Sequence, residues 1–321
     1  MLSRVAENLY WMARYLERAE DTARLIRVTR HLMLDFPGTA TLGWSSLITI
    51  TGADAIYDEH HQERSGPTVL GFLCANRKYG GSILGALTAA RENLRTTRDV
   101  MPREVWEEIN RLLLELSGMV QREIDPRRVD QFLHAAIRGA QTLVGMLNGS
   151  LSETPARTFC EIGLQIERAD MISRIVDVRS ANLLPRIETD LIPFENLQWM
   201  SVLKSLSAHQ MYRQQVRLKV RGPDVVRFIL LNPLFPRSVM RCLRQLEARF
   251  ATLPRADEAR AGVSALVELL NSEDLAALAR MPEQLNAFLD RIQLGIIDLH
   301  ELIKTTWFGG IDTPAPIVAD Q

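Results

Sequence analysis

A chain of 321 residues with 38 Lys and Arg against 39 Asp and Glu has a formal net charge of −1, which gives no global attraction to nucleic acid or to an anionic membrane. Its three cysteines, Cys74, Cys160 and Cys242, are widely spaced and form no CxxC pair; a disulfide framework or thiolate zinc site is not expected, and a reducing cytoplasm fits. The opening Met1–Glu7 carries charges where a signal peptide needs an apolar stretch, and no segment reaches the roughly 18 uninterrupted apolar residues of a spanning helix.

The first element is a helix. Leu2, Val5, Leu9, Met12, Leu16, Ala19, Ala23 and Ile26 recur at steps of three and four, which lines one face. Phe36-Pro37-Gly38 ends it, because proline lacks the amide donor and glycine tolerates the turn. A second helix is predicted from near Trp44 to Tyr57, and a short one after Gly66-Pro67. Tyr79-Gly80-Gly81 then breaks the chain before a helix through Leu87, Ala90 and Leu94. Met101-Pro102 opens a face of Val105, Ile109, Leu112, Leu113 and Leu116, and Asp125-Pro126 precedes a helix with Phe132, Ala136, Ile137, Leu143 and Met146. This half reads as about six helices with no alternating strand pattern.

The second half repeats the order. Its charged helix runs from about Thr154 to Leu184 and stops at Pro185, another follows Pro193, and a short one follows Gly222-Pro223. Later helices are predicted near 238–250, 257–270 and 282–306, and Thr313-Pro314-Ala315-Pro316 reads as a frayed tail.

The repetition extends to residues. Leu16-Glu17-Arg18-Ala19-Glu20 with Arg24 returns as Ile166-Glu167-Arg168-Ala169-Asp170 with Arg174, and Trp44, Tyr57 and Gly66-Pro67 return as Trp199, Tyr212 and Gly222-Pro223. Val69, Phe72, Asn76, Ser82 and Leu87 answer Val225, Phe228, Asn232, Ser238 and Leu243. A collinear series at a separation of about 150 residues points to a tandem duplication. The expected fold is all-α: two six-helix units packed as a pseudo-twofold bundle, residues 1–152 and 153–310, with 311–321 a flexible tail.

The repeated charges are the candidate site. Glu17, Glu20 and Arg24 share one sector of a helix, and Glu20–Arg24 and Asp170–Arg174 are i,i+4 pairs. Arg18 and Arg168 fall on another sector, Arg18 in line with Glu7, Trp11 and Arg14. One reading is a salt-bridge network fixing helix packing, since buried charges must be paired. The other is a shared cleft in which arginines clamp a carboxylate or phosphate, with Glu17 and Glu167 orienting them. The paired carboxylates also suit magnesium, but none of the six histidines repeats or has metal-ligand spacing, so no metal set is assigned and no cofactor is predicted. Neither GxSxG nor GxxxxGK[ST] occurs, which leaves catalytic residues unassigned. Trp44, Trp199, Tyr57 and Tyr212 read as core anchors, and Asn76 and Asn232 as caps on local backbone.

The opening Leu2-Ser3-Arg4-Val5-Ala6-Glu7-Asn8-Leu9-Tyr10-Trp11-Met12-Ala13-Arg14-Tyr15-Leu16-Glu17-Arg18-Ala19-Glu20, together with Leu164–Asp170 and Phe228–Pro233, resembles the bacterial alpha-E domain family over essentially the whole chain. That resemblance implies an accessory component. The family is associated with circularly permuted ATP-grasp proteins, sometimes fused to them, and with transglutaminase-like proteins, which implies a role in amide or peptide ligation. The expected function is a substrate-binding or accessory partner of an ATP-grasp-type ligase. The alternatives are a stand-alone enzyme on an acyl or peptide substrate, or a structural adaptor. Residues expected to bind substrate or partner are Glu7, Arg14, Glu17, Arg18, Glu20, Arg24, Glu167, Arg168, Asp170 and Arg174.

Overall fold

The computed structural model describes residues 1–35, 40–120, 124–125, 127–181, 192–216 and 219–309. The predicted stops at Phe36-Pro37-Gly38 and Pro185, the Pro126 that precedes a predicted helix, and the tail at 311–321 lie outside them. The described residues form fifteen α-helices and no strand. The long helices α1 (Ser3–Asp35) and α8 (Pro155–Ala181) carry the two charged motifs and lie against each other. Around α1 sit α5 (Ile83–Arg95) and α7 (Val129–Ser150), with α6 (Arg103–Met119) against both of these. Around α8 sit α12 (Val239–Phe250) and α15 (Pro282–Ile303), with α13 (Asp257–Asn271) against both. One hydrophobic core runs through all of them from Ala6 to Trp307.

Central position explains why α1 departs from a simple amphipathic helix. Leu9, Met12, Leu16, Ala19, Ala23 and Ile26 are buried as the spacing predicts, although Leu2 is exposed. Tyr10, Ala13, Arg14, Glu17, Glu20, Asp21 and Thr22 are buried as well. A helix with neighbours on most sides loses its solvent face, so the charged sector of α1 faces α8 rather than water.

The helix predicted over Trp44 to Tyr57 is two, α2 (Ala40–Ile50) and α3 (Asp54–Asp58), broken at Gly52 with φ +66°. A glycine takes that left-handed conformation without steric cost. In the second half α9 (Ile192–Ser205) and α10 (His209–Gln215) are separated at Ser207, φ +53°, where a side chain must be tolerated in the same conformation. The short helices α4 (Gly66–Leu70) and α11 (Gly222–Leu231) each begin beneath an indole. A Cβ on Gly66 or Gly222 would come within 3.0 Å of Trp44 or 2.6 Å of Trp199. One further helical turn, α14 (Leu275–Leu278), precedes α15.

The loops after α4 and α11 are built alike. Asn76 Oδ1 accepts from the amides of Lys78 and Tyr79 at 2.9 and 3.2 Å, and Asn232 Oδ1 from those of Leu234 and Phe235 at 2.8 and 2.9 Å. Ser82 and Ser238 donate to the carbonyls of Asn76 and Asn232. The same two hydroxyls accept from the amides of Gly85 and Arg241 as N-caps of α5 and α12, each worth about 1 kcal/mol. Tyr57 and Tyr212, fully buried, donate to the carbonyls of Glu63 and Lys219. The predicted anchors and caps therefore hold the loops that flank the charged motifs.

Candidate functional site

The two motif helices cross where Gly163 meets α1; a Cβ there would lie 2.2 Å from the carbonyl oxygen of Tyr10. At this short separation the repeated Glu-Arg dipeptides exchange partners. Arg18 reaches from α1 to Glu167 with Nε at 2.5 Å and Nη2 at 3.0 Å, and Arg168 reaches back to Glu17 at 2.7 and 2.8 Å. Both contacts are fork-to-carboxylate, the strongest and most directional form of the pair. Glu17 and Glu167 are 0% and 2% exposed. Burial alone would raise their acidities' midpoints, but the facing guanidiniums outweigh it. Glu17 is held below the usual range by Arg168 and Arg237, and Glu167 down to about 2 by Arg18 and Arg14. Arg18 and Arg168, placed by the helical repeat on a sector apart from the carboxylates, thus act at the same crossing, because a guanidinium stem spans the angular difference.

Beyond each exchange the two sides differ. On the α12 side Arg237, from the loop before that helix, enters a cluster of buried acids. Its Nη1 lies 2.9 Å from Glu17 and 2.6 Å from Asp21, and its Nη2 2.9 Å from Glu20. Glu20 also accepts from Arg24 and from Gln141 Nε2, and Arg24 continues to the Ser207 hydroxyl. Burial, reinforced by Glu17 and Glu20 against the pull of Arg237, raises Asp21 to about 7, and its Oδ2 has no hydrogen-bond partner.

Because the folded-state value lies above the ordinary one, folded Asp21 keeps a proton that the unfolded chain releases. Its contribution to stability is full at low pH and is lost as pH rises through about 7. Urea unfolding of Asp21→Asn and the parent chain from about pH 4 to about pH 8 should show the variant gaining on the parent as pH rises. Parallel curves would contradict the assignment.

On the α5 side the crossing is open. A cavity of about 1200 Å³ lies between α1, α5, α8 and the Gly80-Gly81 loop. Arg14, Arg18 and Arg174 line it with Glu167 and Asp170, and Arg77, Lys78 and Arg95 join Glu92 among the other lining residues. Tyr15, Tyr79, Ile50 and Met171 supply apolar wall. Asp170, raised by burial against the charge of Arg174, accepts from Arg174 Nε at 3.0 Å. Arg14 holds Glu167 through Nε at 2.7 Å and donates from Nη1 to the Tyr10 hydroxyl at 3.1 Å. That hydroxyl stands 2.8 Å from His300 Nδ1 on α15. Burial, with the nearby Arg14 charge, pushes His300 down to about 4, so it is a neutral acceptor for the Tyr10 proton at neutral pH.

Of the residues singled out from the sequence, Arg14, Arg18, Glu167, Asp170 and Arg174 gather at the open cavity, and Glu17, Glu20, Arg24 and Arg168 at the closed cluster. Glu7 is at neither: it is half-buried beside the charges of Arg4 and Lys304. Sequence reasoning did not find Arg237, Asp21, Tyr10, Tyr79, Thr22 or His300. Only a register comparison bears on Arg237: the matched serines Ser82 and Ser238 place it opposite Gly81.

Among the described residues no group of three His, Cys, Asp or Glu is arranged to hold a metal ion, and no helix is long and apolar enough to cross a membrane. Cys74, Cys160 and Cys242 are free and buried, their thiols pushed up to about 12 by burial, which suits packing rather than nucleophilic attack.

An uncharacterised protein of Mycobacterium bovis and uncharacterised proteins of two Mycobacterium tuberculosis strains are similar to this chain, each 26% identical over 78% of it and 30% of the relative. The chain thus spans under a third of the length of these curated relatives. No solved structure matches it. A family model described as a predicted alpha-helical domain with a conserved ER motif matches residues 1–308. With Glu17-Arg18 and Glu167-Arg168 meeting at the centre of that span, the chain belongs to the Alpha-E family.

Proposed function

We propose that this chain is a cytoplasmic substrate-binding partner of an ATP-grasp-type peptide or amide ligase, built from two duplicated helical units, residues 1–152 and 153–310, about a pseudo-twofold axis. The carrying observation is the asymmetry of the two sides of the crossing: Arg237 fills one, while the other opens as a cavity whose lining includes Arg14, Arg18 and Arg174. Arginine forks beside an apolar wall suit a peptide or carboxylate substrate. The reciprocal Glu-Arg exchange, the matched loops and the parallel helix neighbours support the duplication. The ligase partner follows from the family resemblance, and the greater length of the relatives leaves room for a second domain in the same polypeptide.

Affinity purification from the native bacterium tests the reading. The parent chain should recover an ATP-grasp-type ligase, and Arg174→Ala should still recover it but fail to restore its ligation product. The Arg174 side chain is partly exposed and its ion-pair partner Asp170 is on the same helix, so the variant should stay folded. Recovery of no such ligase, or full product with Arg174→Ala, would count against it.

A further inference from the structure

Among the described residues the open cavity is lined by more guanidiniums than carboxyl groups. At the closed cluster Glu17, Glu20 and Asp21 face Arg24, Arg168 and Arg237, three carboxyl groups against three guanidiniums. At the open crossing Glu167 and Asp170 face Arg14, Arg18 and Arg174, two against three. The repeat register shows what is missing. Met171 stands opposite Asp21, and Gly52 opposite Ser207, whose hydroxyl receives Arg24. Arg174 Nη1 lies at Gly52, 3.3 Å from where a Cβ would be, and finds no side-chain acceptor on that residue. Gly81 stands opposite Arg237, so that position brings no guanidinium to this side, and the Tyr79 ring lies where a side chain on Gly81 would begin. An independent sign comes from Thr22: it is 0% exposed, lines this cavity, and its hydroxyl has no hydrogen-bond partner. A buried hydroxyl is rarely left unpaired, and buried positive charge requires a counter-charge.

We infer that the cavity binds one carboxylate group of a ligand with an apolar body, such as the C-terminal end of a peptide. The carboxylate takes the place that the Asp21 carboxyl group takes in the other half and supplies the acceptor that Ser207 supplies there. Arg18 and Arg174 provide the forks, Thr22 a donor, and Tyr15, Tyr79 and Ile50 the wall for the body. This rests on the reading of the cavity as a substrate site, but it needs no ligase.

Calorimetric titration of the full chain with N-acetylalanine, N-acetylphenylalanine, their primary amides and inorganic phosphate provides the test. At least one acid should bind saturably at one site per chain, about tenfold or more tighter than its amide, because a charged hydrogen-bonded group is lost in the amide. Arg174→Gln removes the surplus charge and Met171→Asp supplies the missing acid internally. Each variant, folded by circular dichroism, should weaken the acid by about tenfold or more, and phosphate should not displace it. The inference is overturned by acid and amide binding alike, by no acid binding at all, by acid binding unchanged in both folded variants, or by phosphate binding more tightly than the acids. Recovery of a ligase by a chain that binds no acid would sink this inference and leave the accessory reading standing; acid binding without any ligase would do the reverse.

Discussion

A chain carrying Glu17→Ala is expected to lose about 3–5 kcal/mol of unfolding free energy, the cost of leaving buried charges without their partner. Glu17 accepts both donors of the Arg168 fork and also faces Arg237, and none of the three is more than slightly exposed. Asp21 and Glu20 remain for Arg237, but Arg168 is left facing Arg237 across a desolvated space. For a domain whose whole stability is of order 5–15 kcal/mol, such a loss moves the urea midpoint far down or prevents accumulation of folded protein. The exposed helix pair Arg103–Glu107 provides the contrast: Glu107→Ala should leave the midpoint nearly where it was, because water already solvates both groups. Equal, small effects at the two sites would mean that the crossing does not depend on its ion pairs.

The second large effect is expected from a single methyl group. In Gly163→Ala the new Cβ would fall 2.2 Å from the Tyr10 carbonyl oxygen and 3.0 Å from its carbon. Both atoms are backbone of a long helix, so relief requires α1 and α8 to move apart rather than a side chain to rotate. Overpacking of this kind costs about 1–3 kcal/mol and sometimes more, and here separation also stretches both Glu-Arg exchanges. Thermal unfolding should place Gly163→Ala well below the parent chain. Gly145→Ala on α7, where a Cβ meets nothing within 4 Å, should instead be neutral or stabilised by up to about 1 kcal/mol through helix propensity. A Gly163→Ala chain as stable as the parent would show that the helices do not approach this closely.

Much of the fold is written in local chemistry. Ser82 and Ser238 cap the helices their positions announce, Asn76 and Asn232 bind the amides two and three residues on, and the apolar faces of α6 and α7 are buried where the three-and-four spacing puts them. The breaks at Gly52 and Ser207 were less legible. A single glycine inside an apolar run is compatible with a continuing helix, and a serine with positive φ has no sequence mark at all.

The candidate site was half legible for a different reason. A helical wheel counts directions from one axis, so it separates Arg18 from Glu17, whereas the structure joins both dipeptides through long side chains that cross to α8. The wheel also contains no information on how many helices surround α1, so it leaves open whether the charged sector closes a core or lines a cleft. Arg237 was beyond reach because its partners Glu17, Glu20 and Asp21 lie more than 200 positions away, and the position matched to it by the serines is Gly81.

The two Glu-Arg motifs hold each other across the α1–α8 crossing, and a double-mutant cycle on Glu17 and Arg168 measures that coupling. Urea unfolding of Glu17→Ala, Arg168→Ala and the double variant should give a coupling energy of about 1–3 kcal/mol, the double variant being far less damaged than the sum of the singles. Losses that add to within about 0.5 kcal/mol would mean that the two residues act independently, and the exchange would not be what fixes the helices.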